Sequence, residues 1–197
     1  MHYAIEPMVT PEGTTVRYTI ETKGSSFTVK AFAAGVLSAF AHNPTISIPD
    51  FEGEICLNPD ALENSSFRMV ARSDSLVVTD DISDKDREEI NRKMHGEVLE
   101  SDSYPEVIYE SSKGTASKTG ENQYWMALNG ELTLHGVKRN QPVSARVSVN
   151  GSTLRAVGEF SIRQSDYEIA PVSAVGGAIK LKDELRFSFS ISARELE

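Results

Sequence analysis

Cysteine is nearly absent. Cys56 stands alone in 197 residues, so no disulfide can form within the chain and the fold does not depend on an oxidising compartment. Nothing basic or histidine-like stands close to it in sequence to lower its pKa, so it reads as a buried, inert thiol on a strand. Positive charge is also short. Twenty Lys and Arg against 29 Asp and Glu leave a formal net charge of -9, with a pI near 5.0 and no basic cluster to offset it. That balance argues against nucleic acid as a partner and against anionic membrane surfaces. No apolar run approaches the length of a membrane-spanning helix, so no integral membrane segment is expected. The opening MHYAIEPMVTPEGTT has neither the cationic nor the apolar region of a signal peptide; the expectation is a cytoplasmic protein, or a periplasmic one if a leader has been removed.

Catalytic signatures are missing too. The four histidines, His2, His42, His95 and His135, show no metal-binding spacing, and no metal or cofactor is expected. There is no Gly-x-Ser-x-Gly elbow and no Gly-x-Gly-x-x-Gly or Walker-type loop. Asp80 and Asp81 are adjacent, which suits a turn and helix entry better than paired acid/base work. The chain reads as a non-enzyme.

What is present is alternation. In YWMALNGELTLHG, Tyr124, Met126, Leu128, Gly130, Leu132 and Leu134 share one face, and Trp125, Ala127, Asn129, Glu131, Thr133 and His135 the other. This is a strand with one buried face, and at about 3.3 Å per residue it would reach about 40 Å, a length that suits a barrel wall. Gly130 reads as a bend point in it. Trp125 falls on the opposite face, either outside the barrel under the helix or inside with the register reversed by a bulge.

Further strands recur at short intervals. TTVRYTIE and SSFTVKA flank Lys23-Gly24, which reads as a hairpin; TISI, FEGEICL, SSFRMVA and EVIYES follow. VSARVSV and TLRAVGEFSI flank Asn150-Gly151, the residues of a type I′ turn, and LRFSFSISA closes the series. ISDKDREEINRKMHG breaks the pattern: Ser83 as N-cap, Asp84 and Asp86 in the first turn, Ile90 and Met94 four apart, and Gly96 as stop predict a helix over about Ser83 to His95. A helical turn is expected at about Val36 to Ala41.

With 39% hydrophobic and 25% charged residues, the chain can bury a core. The expected architecture is all-β, a single antiparallel barrel domain of about eight strands spanning 1–197, with 1–13 as an N-terminal extension and the barrel over about 14–194. Closure removes sheet edges, and a barrel of about eight strands has an interior that fits side chains or one small ligand. Because the inward faces are almost wholly apolar, a ligand held there would be apolar.

Four stretches together resemble the YceI-like family, whose members have a lipocalin-like barrel and are described as polyisoprenoid- or lipid-binding. They are Ser25 to Pro44, Phe51 to Leu57, Ser101 to Ser111 with its Tyr-Pro, and Leu128 to Val143 with its Leu-Thr-Leu-His-Gly-Val-Lys. In QSDYEI, Asp166 and Tyr167 fit the family's Arg-x-Asp-Phe-Gly pattern, while Gln164 replaces the arginine and Glu168 the glycine. The resemblance implies a carrier that sequesters a long amphiphile such as a polyisoprenoid, an isoprenoid quinone or a fatty acid derivative. It also implies export to the periplasm in many members, and a homodimer as one expected state.

Channel-lining candidates are then Phe27, Val29, Phe40, Met69, Tyr109, Met126, Leu128, Leu132, Leu134, Phe160, Ile162, Phe187 and Phe189. Headgroup or motif candidates are His42, His135, Asp166 and Tyr167. For the two histidines, hydrogen bonding to backbone beside Pro44 or Gly136 competes with ligand contact. Gly176-Gly177 reads as a flexible link or a gate at the barrel mouth. Two other functions compete with the carrier: an enzyme acting on an amphiphile with His42 or His135 as acid/base, and a stress or interaction protein whose barrel is filled by its own side chains.

Overall fold

Period-two alternation has built a closed antiparallel barrel. The computed structural model describes residues 15–34, 43–170, 173–174 and 179–196, with no cis peptide bond among them. Its strands are β1 (Val16–Ile20), β2 (Ser26–Ala34), β3 (Thr45–Ser47), β4 (Phe51–Leu57), β5 (Ser66–Arg72), β6 (Val77–Val78), β7 (Glu106–Gly120), β8 (Gln123–Leu134), β9 (Val137–Asn150), β10 (Thr153–Arg163), β11 (Ser173–Ala174) and β12 (Ile179–Glu195); helix α1 is Asp84–Lys93. Eight strands close on themselves in the order β1, β4, β5, β7, β8, β9, β10, β12, with β12 returning to β1. Beyond β1, the edge of β12 continues into β2, β3 and β6.

Faces follow the pattern of the sequence. In β8, Met126, Leu132 and Leu134 are buried and Trp125, Asn129 and Glu131 exposed. Trp125 lies outside the barrel, 46% exposed and not beneath the helix, opposite Ser117 and Arg146 on the neighbouring strands. Gly130 has a different role from a simple bend. The ring of Tyr109, two strand positions away on β7, lies across it in space that a Cβ would occupy. The irregularity is on β7 instead, where the register shifts between Ser111 and Lys113 opposite Gly130 and Asn129, a β-bulge.

Turns depart from expectation in three places. Lys23-Gly24 is a turn, with φ +96° at Gly24, but no hairpin: β1 and β2 both run antiparallel to β12 and so follow one another along the same edge. Between β9 and β10 the register pairs Asn150 with Thr153, so the loop is Gly151-Ser152 with positive φ at Gly151 alone, the pattern of a type II′ turn. The type I′ pattern occurs at His135-Gly136, where both residues have positive φ, 52° and 73°, and Leu134 pairs with Val137.

Helix α1 starts as expected, with Ser83 Oγ accepting from the Asp86 N–H at 3.2 Å. It does not stop at Gly96. A π-type turn carries on through Met94–Val98, and the reversal comes at Glu100, with φ +45°. Met94 is buried and Ile90 exposed, so one side of the helix end docks. Cys56 is half-buried rather than buried: Ile55 and Leu57 take the inner face of β4, which turns Cys56 outward with its Sγ 3.6 Å from Glu54 Oε1. The helical turn at Val36 to Ala41 lies outside the described residues, as does Gly176-Gly177.

Candidate functional site

The barrel interior has two halves. One contains a cavity of about 1040 Å³ of atom-free space including its mouth, of which about 100 Å³ is wide enough to admit the centre of a water molecule. It is therefore narrow throughout. Its walls are almost entirely apolar, so water inside would find few of the polar partners it needs.

Nine sequence candidates meet there: Phe27, Met69, Tyr109, Met126, Leu128, Leu132, Phe160, Phe187 and Phe189. The aromatics are arranged, not scattered. Phe27 meets Phe51 edge-on at 4.7 Å and stacks with Phe189 at 6.0 Å, Phe160 stacks on Phe187 at 4.9 Å, and Phe67 tilts against Tyr109 at 5.8 Å. Phe67, Leu128, Phe160 and Phe187 line the cavity yet are only half-buried, so the cavity reaches the surface beside them. Small residues make the room. Ala145 and Ala156 face inward on adjacent strands, and Gly158 lets the Phe189 ring approach the β10 backbone. The sequence reading missed these alanines, along with Val143, Val147 and Leu154, although the alternation of β9 and β10 marks them as inward.

Among the aromatic side chains of the cavity, Tyr109 alone carries a polar group. It is 5% exposed, its hydroxyl donates to the Gln141 carbonyl at 3.1 Å, and burial pushes its pKa up to about 12.

The other half is filled. Val29, Leu134 and Ile162 are buried in the core but do not line the cavity. Around the His135-Gly136 turn, the short 3₁₀ turn Gln164–Tyr167 packs its tyrosine into the barrel end, 2% exposed. Burial, and then the neighbouring Asp166 carboxylate, raises the Tyr167 pKa. His135 Nδ1 lies 3.2 Å from the Tyr167 carbonyl; a carbonyl only accepts, so Nδ1 carries the proton and donates. The His135 ring packs on Tyr104 at 4.4 Å, and its buried Nε2, 3.7 Å from Glu100 Oε2, makes no hydrogen bond. Ser73 ties this end to the chain before β7, its Oγ donating to the Tyr104 carbonyl at 2.7 Å and its N–H to that of Pro105 at 2.9 Å. Gln164, at the family's arginine position, is buried and donates to the Lys182 carbonyl at 3.0 Å.

His135 and Tyr167 are thus brought together, away from the cavity, in a backbone-binding role. Asp166 is exposed in a polar groove outside this end, its carbonyl accepting from Arg139 Nε at 3.0 Å. Phe40 and His42 lie outside the described residues. Among the described residues no cluster of His, Cys, Asp and Glu could hold a metal ion, and no helix is long and apolar enough to cross a membrane.

The profile of the YceI-like domain matches residues 11–193. Among solved structures, Burkholderia cenocepacia BcnA superposes with a TM-score of 0.67 at 19% identity, covering 88% of this chain and 98% of that one. A polyisoprenoid binding domain from Saccharophagus degradans, implicated in plant cell wall breakdown, gives 0.66 at 12% identity over 91% and 98%. A Campylobacter jejuni YCEI protein gives 0.59 at 15% over 80% and 88%. At these identities the likeness is one of fold. No curated protein sequence matches the chain.

Proposed function

This chain belongs to the YceI-like domain family, and from that membership we propose that it is a non-catalytic binding protein that sequesters or carries one long apolar amphiphile, a polyisoprenoid, an isoprenoid quinone or a fatty acid derivative, in its barrel cavity. The observation that carries this reading is the narrow apolar cavity itself, with half-buried aromatics where it meets the surface. Its width suits an extended hydrocarbon chain better than a compact ring system. Each methylene moved from water into such walls contributes about 0.8 kcal/mol. A folded analogue in Saccharophagus degradans described as polyisoprenoid-binding supports the same class of ligand.

Solvent extraction of the purified protein followed by mass spectrometry, paired with titration of farnesol and palmitate, tests the proposal. A long-chain lipid in the extract and saturable binding are expected. Ala145→Phe, which fills the middle of the cavity, is expected to weaken binding by at least about tenfold, the equivalent of losing about two methylene contacts. An empty extract together with no saturable binding would sink the carrier reading.

A further inference from the structure

Four large hydrophobic side chains are exposed among the described residues: Ile90, Trp125, Val157 and Leu196. Two of them share one row across the outer wall of the barrel. The row runs Ser117, Trp125, Arg146, Val157, Ser190 over β7, β8, β9, β10 and β12, so Trp125 and Val157 stand about 10 Å apart, with Arg146 between them and a small serine at either end. Trp125 is 46% exposed and Val157 54%. Tryptophan and arginine are the residue types that dominate contact surfaces.

Charge on this wall runs against that of the chain. Over Lys113–Ser117, Gln123–Asn129, Pro142–Ser148, Arg155–Ser161 and Arg186–Ser192, the charged outward side chains are Lys113, Arg146, Arg155 and Arg186 against one carboxylate, Glu159. None of the five forms an ion pair among the described residues. The net charge of -9 is concentrated elsewhere, as in the run from Asp80 to Glu89, and α1 packs on β6, five strands along the sheet from β9. Charges more than about 8 to 10 Å away are largely screened at physiological salt, so an anionic surface approaching Arg146 meets a positive local field.

The cavity reaches the same wall. Ser188, the next outward position along β12 from Ser190, is exposed and lines the cavity, as do the half-buried Phe160 and Phe187 beside it.

We propose that the outer wall around Trp125, Arg146 and Val157 is a docking surface for an anionic lipid bilayer. The indole and the valine enter the headgroup layer, which suits a side chain with an apolar body and a polar N–H, and the arginines hold lipid phosphates. Symmetric pairing of two copies through this wall would bring two positive faces together, and a nucleic acid would gain nothing from Val157. Docking rests on charge and apolar exposure and does not require the carrier reading. For a carrier, it sets the cavity opening against the membrane, so that an apolar chain passes between bilayer and barrel with little exposure to water.

Trp125 is the only tryptophan in the chain, so its fluorescence reports contact at this wall directly. Vesicles of equimolar phosphatidylcholine and phosphatidylglycerol are expected to shift its emission to the blue and to co-sediment the protein, both effects fading at high salt; vesicles of phosphatidylcholine alone are expected to do neither. Arg146→Gln combined with Arg155→Gln is expected to weaken vesicle binding at least about tenfold, whereas Arg146→Lys with Arg155→Lys retains it. No blue shift with the mixed vesicles, equal binding to both kinds of vesicle, or unchanged binding in the glutamine variant overturns the docking surface. So does an emission shift of equal size on adding a single-stranded oligonucleotide, or a dimer in sedimentation equilibrium that Trp125→Asp dissociates. Each outcome is independent of the solvent extraction that tests the carrier reading.

Discussion

The cavity half and the filled half of the barrel are built from the same strands, yet they use sequence differently. Around the cavity, interchangeable apolar residues and small alanines leave space, and no single contact organises the wall. At the filled end, specific residues interlock: Tyr104 covers His135 and Gly136, His135 holds the Tyr167 carbonyl, and Ser73 holds the Tyr104 and Pro105 carbonyls. Of the two stretches Ser101 to Ser111 and Leu128 to Val143 that resemble the family, the Tyr104-Pro105 and His135-Gly136 pieces meet there, while Val107, Tyr109, Leu128, Leu132 and Val143 line the cavity. The least generic residues of these stretches therefore mark the end that stabilises the barrel, while their contribution to the half suited to a ligand is written mostly in apolar alternation.

The contrast can be broken by experiment. The largest effect is expected from Tyr167→Ala, which empties the plug and should cost about 3 to 5 kcal/mol of stability in urea unfolding. Gly136→Ala comes next, at about 2 kcal/mol, because φ is +73° and the new Cβ would lie 2.6 Å from Tyr104 Cε1. Tyr109→Phe loses one buried hydrogen bond, about 1 kcal/mol, and sharpens the picture through pH. The folded pKa of Tyr109 is raised to about 12, above its ordinary value of 10.0, so its contribution is present below pH 10 and is lost as pH climbs toward 12; the variant's unfolding profile should lack that alkaline decline. Phe160→Ala is expected to cost least in stability, below about 1 kcal/mol, since the half-buried ring already borders empty space, while weakening farnesol binding severalfold. A cost for Phe160→Ala equal to that of Tyr167→Ala would erase the distinction between the two halves.

Most of the strand pattern was legible, since inward and outward residues of β8, β10 and β12 follow directly from alternation. Helix α1 was legible from its Ser83 cap. Its end was not: Gly96 is a propensity signal, whereas the chain turns at Glu100, where packing of Met94 and Leu99 outweighs preference. The turns failed for a related reason. Asn150-Gly151 is the stronger local signal, but cross-strand register moved that loop by one residue and placed the type I′ geometry on His135-Gly136. Which apolar residues border a void could not be read at all: Leu132 and Leu134 share a face and a strand, yet one lines the cavity and the other fills the end. That depends on how far Tyr167 reaches from the 3₁₀ turn after β10.

Strand β12 is the seam of the molecule: it pairs with β10 and β11 along one side and with β1 and β2 along the other. Tyr18 in the first described strand waits for Glu195 in the last. Such distant pairing raises contact order and slows folding, because the loop entropy is lost before the contacts form. On a ribosome, the run β1-β4-β5-β7-β8-β9-β10 and the run β2-β3-β6 would emerge unjoined, and the barrel could be completed only after Ile179–Glu195 had left the exit tunnel. The interval before that last strand arrives is when this chain is most open to chaperones, and to the wrong partner.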